Sequence, residues 1–133
     1  MSLMFWFFIK HFICDFPLQA FPWMYNNKGT YGHLGGIVHA LIHGIGTFII
    51  LFYLTTLWTN NFFSEDANNY YVSKFWCLVL FDIIVHYHID WAKMNINKMF
   101  NWKSDNSEMF WILLGVDQLL HYLTYLVIIY FII

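Results

Sequence analysis

The chain has 133 residues, of which 60% are hydrophobic and 11% charged, and its formal net charge is −2. Soluble domains carry about 25% charged residues, so this composition predicts an integral membrane protein with a single domain. Six lysines and no arginine exclude the basic surface that nucleic-acid-binding proteins present.

Four apolar segments follow one another along the chain, and together they predict an all-α, four-helix membrane bundle. A helix needs about 20 apolar residues to cross a bilayer. The predicted spans cover residues 2–20, 37–59, 72–93 and 108–132. The connection over residues 21–36 is polar and glycine-rich, which predicts a loop with Trp23 and Tyr25 as interfacial anchors.

The lysines of the predicted loops indicate an orientation. The first and third loops, with their edges, hold Lys28, Lys93, Lys98 and Lys103, whereas the second loop has only Lys74 beside it. Because positive charge collects on the cytoplasmic side of a membrane protein, we expect loops one and three in the cytoplasm and both termini outside.

Every predicted span carries two ionisable residues spaced four apart, which places them on one face of a helix. Such groups are costly in hydrocarbon and mark a functional site by default. In the predicted topology, all of these pairs fall in the cytoplasmic half of the membrane, so we expect them to form one site. The pairs are His11 with Asp15, His39 with His43, His86 with Asp90, and Asp117 with His121.

Imidazole and carboxylate groups are the usual ligands of zinc, iron and manganese. The eight residues of the four pairs therefore predict a site for one or two divalent ions of this kind, and eight ligands suit two ions better than one. Two ions about 3.5–4 Å apart clamp a phosphoryl group and supply a hydroxide nucleophile. The sequence thus favours a metal-dependent hydrolase of a phosphoester in a membrane-associated substrate, with Asp90 and Asp117 as catalytic residues.

Further polar residues accompany the pairs. Lys93 lies on the same helix face as His86 and Asp90 and is a candidate to bind a phosphate. Equally, its side chain could extend to the membrane surface and anchor the helix there. Asp82 lies one turn before His86, and we expect it to orient that imidazole or to bind the ion. Other predicted substrate-binding residues are Lys28, Gln19 and Gln118, while His88 is expected at the periphery and His33 in solvent.

Two other functions fit the same residues. A non-catalytic membrane protein can use these His and Asp side chains to bind metal or to conduct protons or ions, and that function predicts a path across the bilayer without a cleft open to lipid. A polar network can also simply hold helices together, and such a protein would purify without metal. An enzyme instead predicts an open ligand position and a cavity that reaches the membrane interface.

The motifs also resemble a known family. His11-Phe-Ile-Cys-Asp15-Phe-Pro-Leu-Gln19 is similar to the His-x3-Asp-Phe-x2-Gln opening of small, uncharacterised bacterial and phage membrane proteins, which look related to predicted membrane-bound metal-dependent hydrolases of the bacterial inner membrane. The resemblance covers about residues 11–121. It implies a protein of the bacterial inner membrane that is either a metal-dependent hydrolase or a phage accessory protein. A hydrolase of this kind would act on a lipid or a phosphorylated small molecule. The later matching motifs are Lys28, His39-x3-His43, His86-x3-Asp90-x2-Lys93 and Asp117-Gln118-x2-His121.

Overall fold

The computed structural model describes residues 3–59 and 69–132, with side chains over residues 3–54 and 73–132. Within these ranges every element of regular secondary structure is a helix, which confirms the predicted all-α class. Three of the helices are long and apolar enough to cross a membrane, over Leu34–Leu54, Ser73–Phe100 and Glu108–Ile132, so a lipid bilayer is their natural environment. The described helices are α1 (Leu3–Asp15), α2 (Pro22–Tyr25), α3 (Leu34–Thr59), α4 (Asn69–Phe100) and α5 (Glu108–Ile132).

Helix α1 is shorter than the span predicted over residues 2–20. Its 13 residues reach about 20 Å, whereas the hydrocarbon core is about 30 Å thick. Pro17 explains its end, because a proline disfavours the helical conformation in the residue before it. A fourth membrane crossing therefore remains a prediction.

The predicted loop over residues 21–36 contains the short helix α2, which starts at Pro22. Proline is favoured in the first turn of a helix, where its missing N–H has no partner to lose. Trp23 and Tyr25, the predicted interfacial anchors, are 50% and 52% exposed. Both rings are therefore free to meet the membrane surface.

Helix α4 continues seven residues beyond the predicted end of the third span at residue 93, and it ends at Phe100. It stops where Asn101 takes a left-handed conformation, with φ of 52°. The backbone N–H of Trp102 then donates to the carbonyl of Asn97 at 2.9 Å, as in a Schellman motif. Asparagine tolerates this conformation better than other residues with a side chain, so Asn101 terminates the helix without a glycine.

The long helices pack around one apolar core. Helix α3 contacts α4 and α1, α5 contacts α4 and α1, and α2 lies against α3. The rings of Phe7 and Tyr125 stack in the core with centroids 5.0 Å apart. The buried core residues are Phe7, Leu51, Phe75, Leu78, Val79, Tyr125 and Ile128. Because they come from α1, α3, α4 and α5, this core fixes the relative positions of the four helices.

Gly46 allows α1 and α3 to approach closely. A Cβ atom on Gly46 would lie 2.7 Å from Cγ of Lys10 and 3.1 Å from its Cε. The lysine side chain therefore runs along α3 over a residue that has no side chain of its own.

We expect Gly46→Ala to destabilise the protein by about 1–3 kcal/mol, because the added methyl group must displace Lys10 from a packed position. Unfolding of the detergent-purified protein by SDS titration measures this change. Gly115→Ala is the matched control, since a Cβ there meets no atom within 4 Å. Equal stability of the two variants would show that the contact with Lys10 is not tight.

Candidate functional site

The predicted pairs lie at the same end of the helices. Helix α1 ends at Asp15, α3 and α5 begin at this end, and α4 finishes there. At 1.5 Å per residue, His39 is about 8 Å, Asp90 about 15 Å and Asp117 about 14 Å from the respective helix ends. The eight side chains are each at most 8% exposed, and they are His11, Asp15, His39, His43, His86, Asp90, Asp117 and His121.

Four of these side chains converge on one point. The Nε2 atoms of His43 and His39 lie 3.1 and 3.2 Å from Oδ1 of Asp15. Nε2 of His86 lies 4.0 Å from the same oxygen and 3.1 Å from Nε2 of His39. The three rings turn Nε2 inward, and their buried Nδ1 atoms have no hydrogen-bond partner among the described residues.

These separations match those between the ligands of a small ion. Four ligands at about 2.1 Å around a tetrahedral zinc ion are about 3.4 Å from one another. The four separations given above fall between 3.1 and 4.0 Å. Asp15, His39, His43 and His86, which we call the Asp15 group, therefore have the donor types and the spacing of a metal site.

Asp15 differs from the other acids of the site in its neighbours. Its carboxylate faces only imidazoles, with His11 Nε2 on Oδ2 at 3.1 Å in addition to the rings on Oδ1. Among the side chains that the structure describes, no lysine lies within ion-pair distance of it. A buried carboxylate without a cation is costly, so this position calls for a positive charge that the surrounding lysines do not supply.

Asp90 and Asp117 have lysine partners. Lys28 Nζ lies 2.5 Å from Oδ2 of Asp90, and Lys93 Nζ lies 3.2 Å from its Oδ1. Lys93 also donates to Oδ2 of Asp117 at 2.9 Å. His121 joins these acids in a second set of metal-type donors. The lysines already neutralise much of the charge there, which leaves the Asp15 group as the better ion site.

His11 links the two parts of the site. Its Nε2 lies 3.1 Å from Oε1 of Gln118, whose amide donates to Oδ2 of Asp117 at 3.1 Å. On the other side of the ring, Nδ1 lies 2.8 Å from the hydroxyl of Tyr125. A hydrogen bond of this kind fixes the orientation and the tautomer of an imidazole.

The predicted substrate-binding residues Gln19 and Lys28 close the site near the loop between α1 and α3. Lys28 is 4% exposed, and it donates to Oε1 of Gln19 while its Nζ lies 3.2 Å from Nε2 of His39. A cavity of about 450 Å³ opens beside them, lined by Asp15, Gln19, Pro22, Tyr25 and Asn26 among others. Asp15, which is 8% exposed, is therefore the member of the Asp15 group that borders a cavity on the loop side.

A second polar layer lies deeper in the helices and was not predicted as a unit. Lys10 Nζ pairs with Oδ2 of Asp82 at 2.7 Å, and the hydroxyl of Thr47 donates to the same oxygen at 2.6 Å. Lys10 also lies 4.7 Å from the centroid of the Tyr125 ring. Asp82, Thr47 and Tyr125 each lie four positions, about 6 Å along a helix, from the nearest site residue, which is His86, His43 and His121 respectively.

This layer changes the interpretation of Asp82. We expected it to orient His86 or to bind the ion, but its carboxylate contacts Lys10 and Thr47. The sequence did contain the signal, because Lys10 lies in an apolar segment and needs a buried partner. The spacing of four that identified the other pairs could not connect Lys10 to a residue 72 positions away.

The remaining histidines lie apart from the site. His88 is exposed, with Nδ1 2.7 Å from the carbonyl of Ile84 and Nε2 3.4 Å from the hydroxyl of Tyr31. His33 accepts a hydrogen bond from the backbone N–H of Gly35 at 3.0 Å. The position of His88 agrees with the peripheral place expected for it, whereas His33, which we expected in solvent, is half-buried.

Comparison with known proteins finds one family. A family model described as a protein of unknown function, DUF3307, matches residues 3–133. No curated protein and no solved structure matches the chain. The family match carries no statement about hydrolases, so that relation remains a prediction.

Proposed function

Since the chain belongs to the DUF3307 family of proteins of unknown function, its activity has to be inferred from its own residues, and we propose that it is a metal-dependent phosphoester hydrolase embedded in the membrane as a four-helix bundle. The observation that carries this proposal is the Asp15 group. Its four donors have the spacing of ligands around one ion, and its carboxylate has no lysine partner among the described side chains.

Charge balance supports one ion rather than two. With neutral imidazoles, the carboxylates of Asp15, Asp90 and Asp117 and the ammonium groups of Lys28 and Lys93 leave a net charge of about −1 in a buried site. One divalent ion changes this to about +1, which a singly charged phosphoester neutralises. A second ion raises it to about +3 and has to compete with the lysines for Asp90 and Asp117. We therefore favour one zinc, manganese or iron ion in the Asp15 group.

The other residues of the site then have separate roles. A divalent ion polarises a phosphoryl oxygen and lowers the pKa of water to about 7. Asp90, whose Oδ2 lies 3.2 Å from Nε2 of His39, and Asp117 are placed to accept the proton of the attacking water. Lys28 and Lys93 hold the phosphate, with Gln19 and Gln118 beside them. The attack of water on phosphorus would break the ester P–O bond, and the leaving alkoxide would take up the proton that the aspartate accepted, so that an alcohol and a phosphate are released.

The distribution of the lysines along the chain supports an orientation in the membrane. The functional site lies at the helix ends that carry loops one and three, and these loops, together with the last turns of α4, hold four of the six lysines. We place this end of the protein at the cytoplasmic face of a bacterial inner membrane.

We expect the detergent-purified protein to retain about one divalent ion per chain, and His43→Ala and Asp15→Asn to lose it. Each variant removes one of four ligands, and even residues that only support a ligand cost about 10–100-fold in metal affinity. Elemental analysis by mass spectrometry measures the metal content. His33→Ala, which removes a histidine outside the site, is the control.

Two outcomes would contradict the proposed metal site. Wild-type protein with no more metal than His43→Ala would mean that the Asp15 group does not hold an ion. Loss of metal in His33→Ala to the same extent would mean that the ion binds elsewhere.

A proton- or ion-handling protein is the second candidate, and one chain of contacts favours it. From the site, His11 contacts Tyr125, and Lys10 joins Tyr125 to Asp82. However, the next positions deeper in α1 and α3 are the buried core residues Phe7 and Leu51. An apolar core at this depth closes a path across the bilayer, so the enzyme is the better-supported function.

A further inference from the structure

A groove runs between α4 and α5 on the outer surface of the helices. It has a volume of about 490 Å³, within the range of about 300–1,000 Å³ that ligand pockets occupy. Its walls are mostly apolar and include Ile84 and Ala92 of α4 and Val116 and Leu120 of α5. Ile84 is 56%, Val116 44% and Leu120 42% exposed. Because both helices are of membrane-spanning type, this groove faces the lipid.

The groove leads to the charged part of the site. His88, Lys93 and Asp117 line it together with the apolar residues, and Lys93 and Asp117 belong to the site. The side chain of Lys93 is 14% exposed, whereas those of Asp90 and Asp117 are at most 3% exposed. The charged group that a molecule in the groove meets first is therefore an ammonium group.

The two openings of the site differ in character. The cavity at Asp15 is bounded by Gln19 and Asn26 of the loop side, which gives water its own access. The groove between α4 and α5 offers a long apolar surface that ends at a cation. This arrangement suits an amphipathic molecule with an apolar tail and an anionic head.

We infer that this groove binds one acyl chain of an anionic phospholipid, whose phosphate contacts Lys93. The inference rests on the proposed function in one respect, because the bound ion would add positive charge and strengthen the attraction of the phosphate to Lys93. It also names the substrate class: a lipid phosphoester that enters sideways from the bilayer, with its head group directed to Lys93 and its chain held by α4 and α5.

The test measures lipid binding to the full, metal-loaded chain by native mass spectrometry. The probes are dioleoyl phosphatidic acid and dioleoylglycerol, which has the same chains and no phosphate. Val116→Trp and Leu120→Trp each fill the groove from α5. Leu119→Trp is the matched control, because Leu119 is 55% exposed on the same helix but does not line the groove. Metal content is measured on the same samples.

We expect wild-type protein to bind the phosphatidic acid at least about tenfold more tightly than dioleoylglycerol, since only the former makes a charge-assisted contact. Val116→Trp and Leu120→Trp should weaken binding of the phosphatidic acid by about tenfold while they keep the ion, and Leu119→Trp should bind as wild type. Equal binding by all variants, or equal binding of the two lipids, would overturn the inference.

Two further results separate this inference from the proposed function. Displacement of the phosphatidic acid by an equal concentration of glycerol 3-phosphate would show that the head group alone is recognised and would also overturn it. Wild-type protein that binds the phosphatidic acid in the groove but holds no metal would instead refute the hydrolase and leave the lipid site standing.

Discussion

Lys10→Met should destabilise the protein by about 3–5 kcal/mol, because it leaves the carboxylate of Asp82 buried without its cation. Asp82 is 1% exposed, and its Oδ2 is 2.7 Å from Lys10 Nζ. The hydroxyl of Thr47 continues to donate to it, but a neutral donor does not replace the charge. The free energy of unfolding from SDS titration of the purified protein measures the loss.

The double variant Lys10→Met with Asp82→Leu should recover most of that stability, because it leaves no buried charge in the deep layer. Replacing both members of a buried ion pair by apolar residues is often neutral or stabilising. Lys98→Met removes a lysine from an exposed position in the last turn of α4 and serves as the control. A double variant less stable than Lys10→Met would mean that the pair itself stabilises the fold beyond the cost of burying its charges.

Asp117→Asn should lower the rate of hydrolysis by about 10²–10⁴-fold and leave the metal content unchanged. Asp117 lies outside the Asp15 group, and asparagine can still accept the hydrogen bond from Lys93, which also retains Asp90 at 3.2 Å. The variant therefore removes a proton acceptor without removing a ligand. Phosphate release from water-soluble dibutyroyl phosphatidic acid measures the rate.

Glu108→Gln is the matched control for this variant, since it removes an exposed carboxylate in the first turn of the same helix. Its rate should equal that of wild type. Unchanged hydrolysis in Asp117→Asn would exclude Asp117 from the mechanism. Loss of the ion in Asp117→Asn would instead assign it to the metal ligands.

The helices could be predicted from the sequence to different degrees. Helix α5 has the bounds that were predicted for the fourth span, residues 108–132. The length of an apolar segment is sufficient to predict the bounds of a helix of membrane-spanning type. The end of α4 was misplaced because Asn95 and Lys98 look like loop residues. In the structure, the amide of Asn95 donates to the carbonyls of Gly29 and Trp91 at 2.9 and 2.8 Å. Contacts with a distant loop of this kind do not appear in a local pattern.

The pairs of site residues could be predicted from their spacing within single helices. A spacing of four within each apolar segment placed His39 with His43 and Asp117 with His121, and the structure brings these residues together. The sequence could not predict that the site divides into the Asp15 group and a part in which the acids are paired with lysines. This division depends on which carboxylates lie within ion-pair distance of a lysine. Lys28 and Lys93 turn to Asp90, whereas Asp15 has only imidazoles. Spacing along one helix carries no information about such contacts between helices.

The pair of Lys10 and Asp82 also determines when α1 can join the other helices as the chain is made. The two residues are separated by 72 positions, so at about 5–20 residues per second the ribosome supplies the partner of Lys10 about 4–14 s after Lys10 itself. Until then, α1 carries an unpaired ammonium group that hydrocarbon does not accommodate. We therefore expect α1, which is synthesised before α3 and α4, to remain at the membrane surface until those two helices have formed the place where it docks.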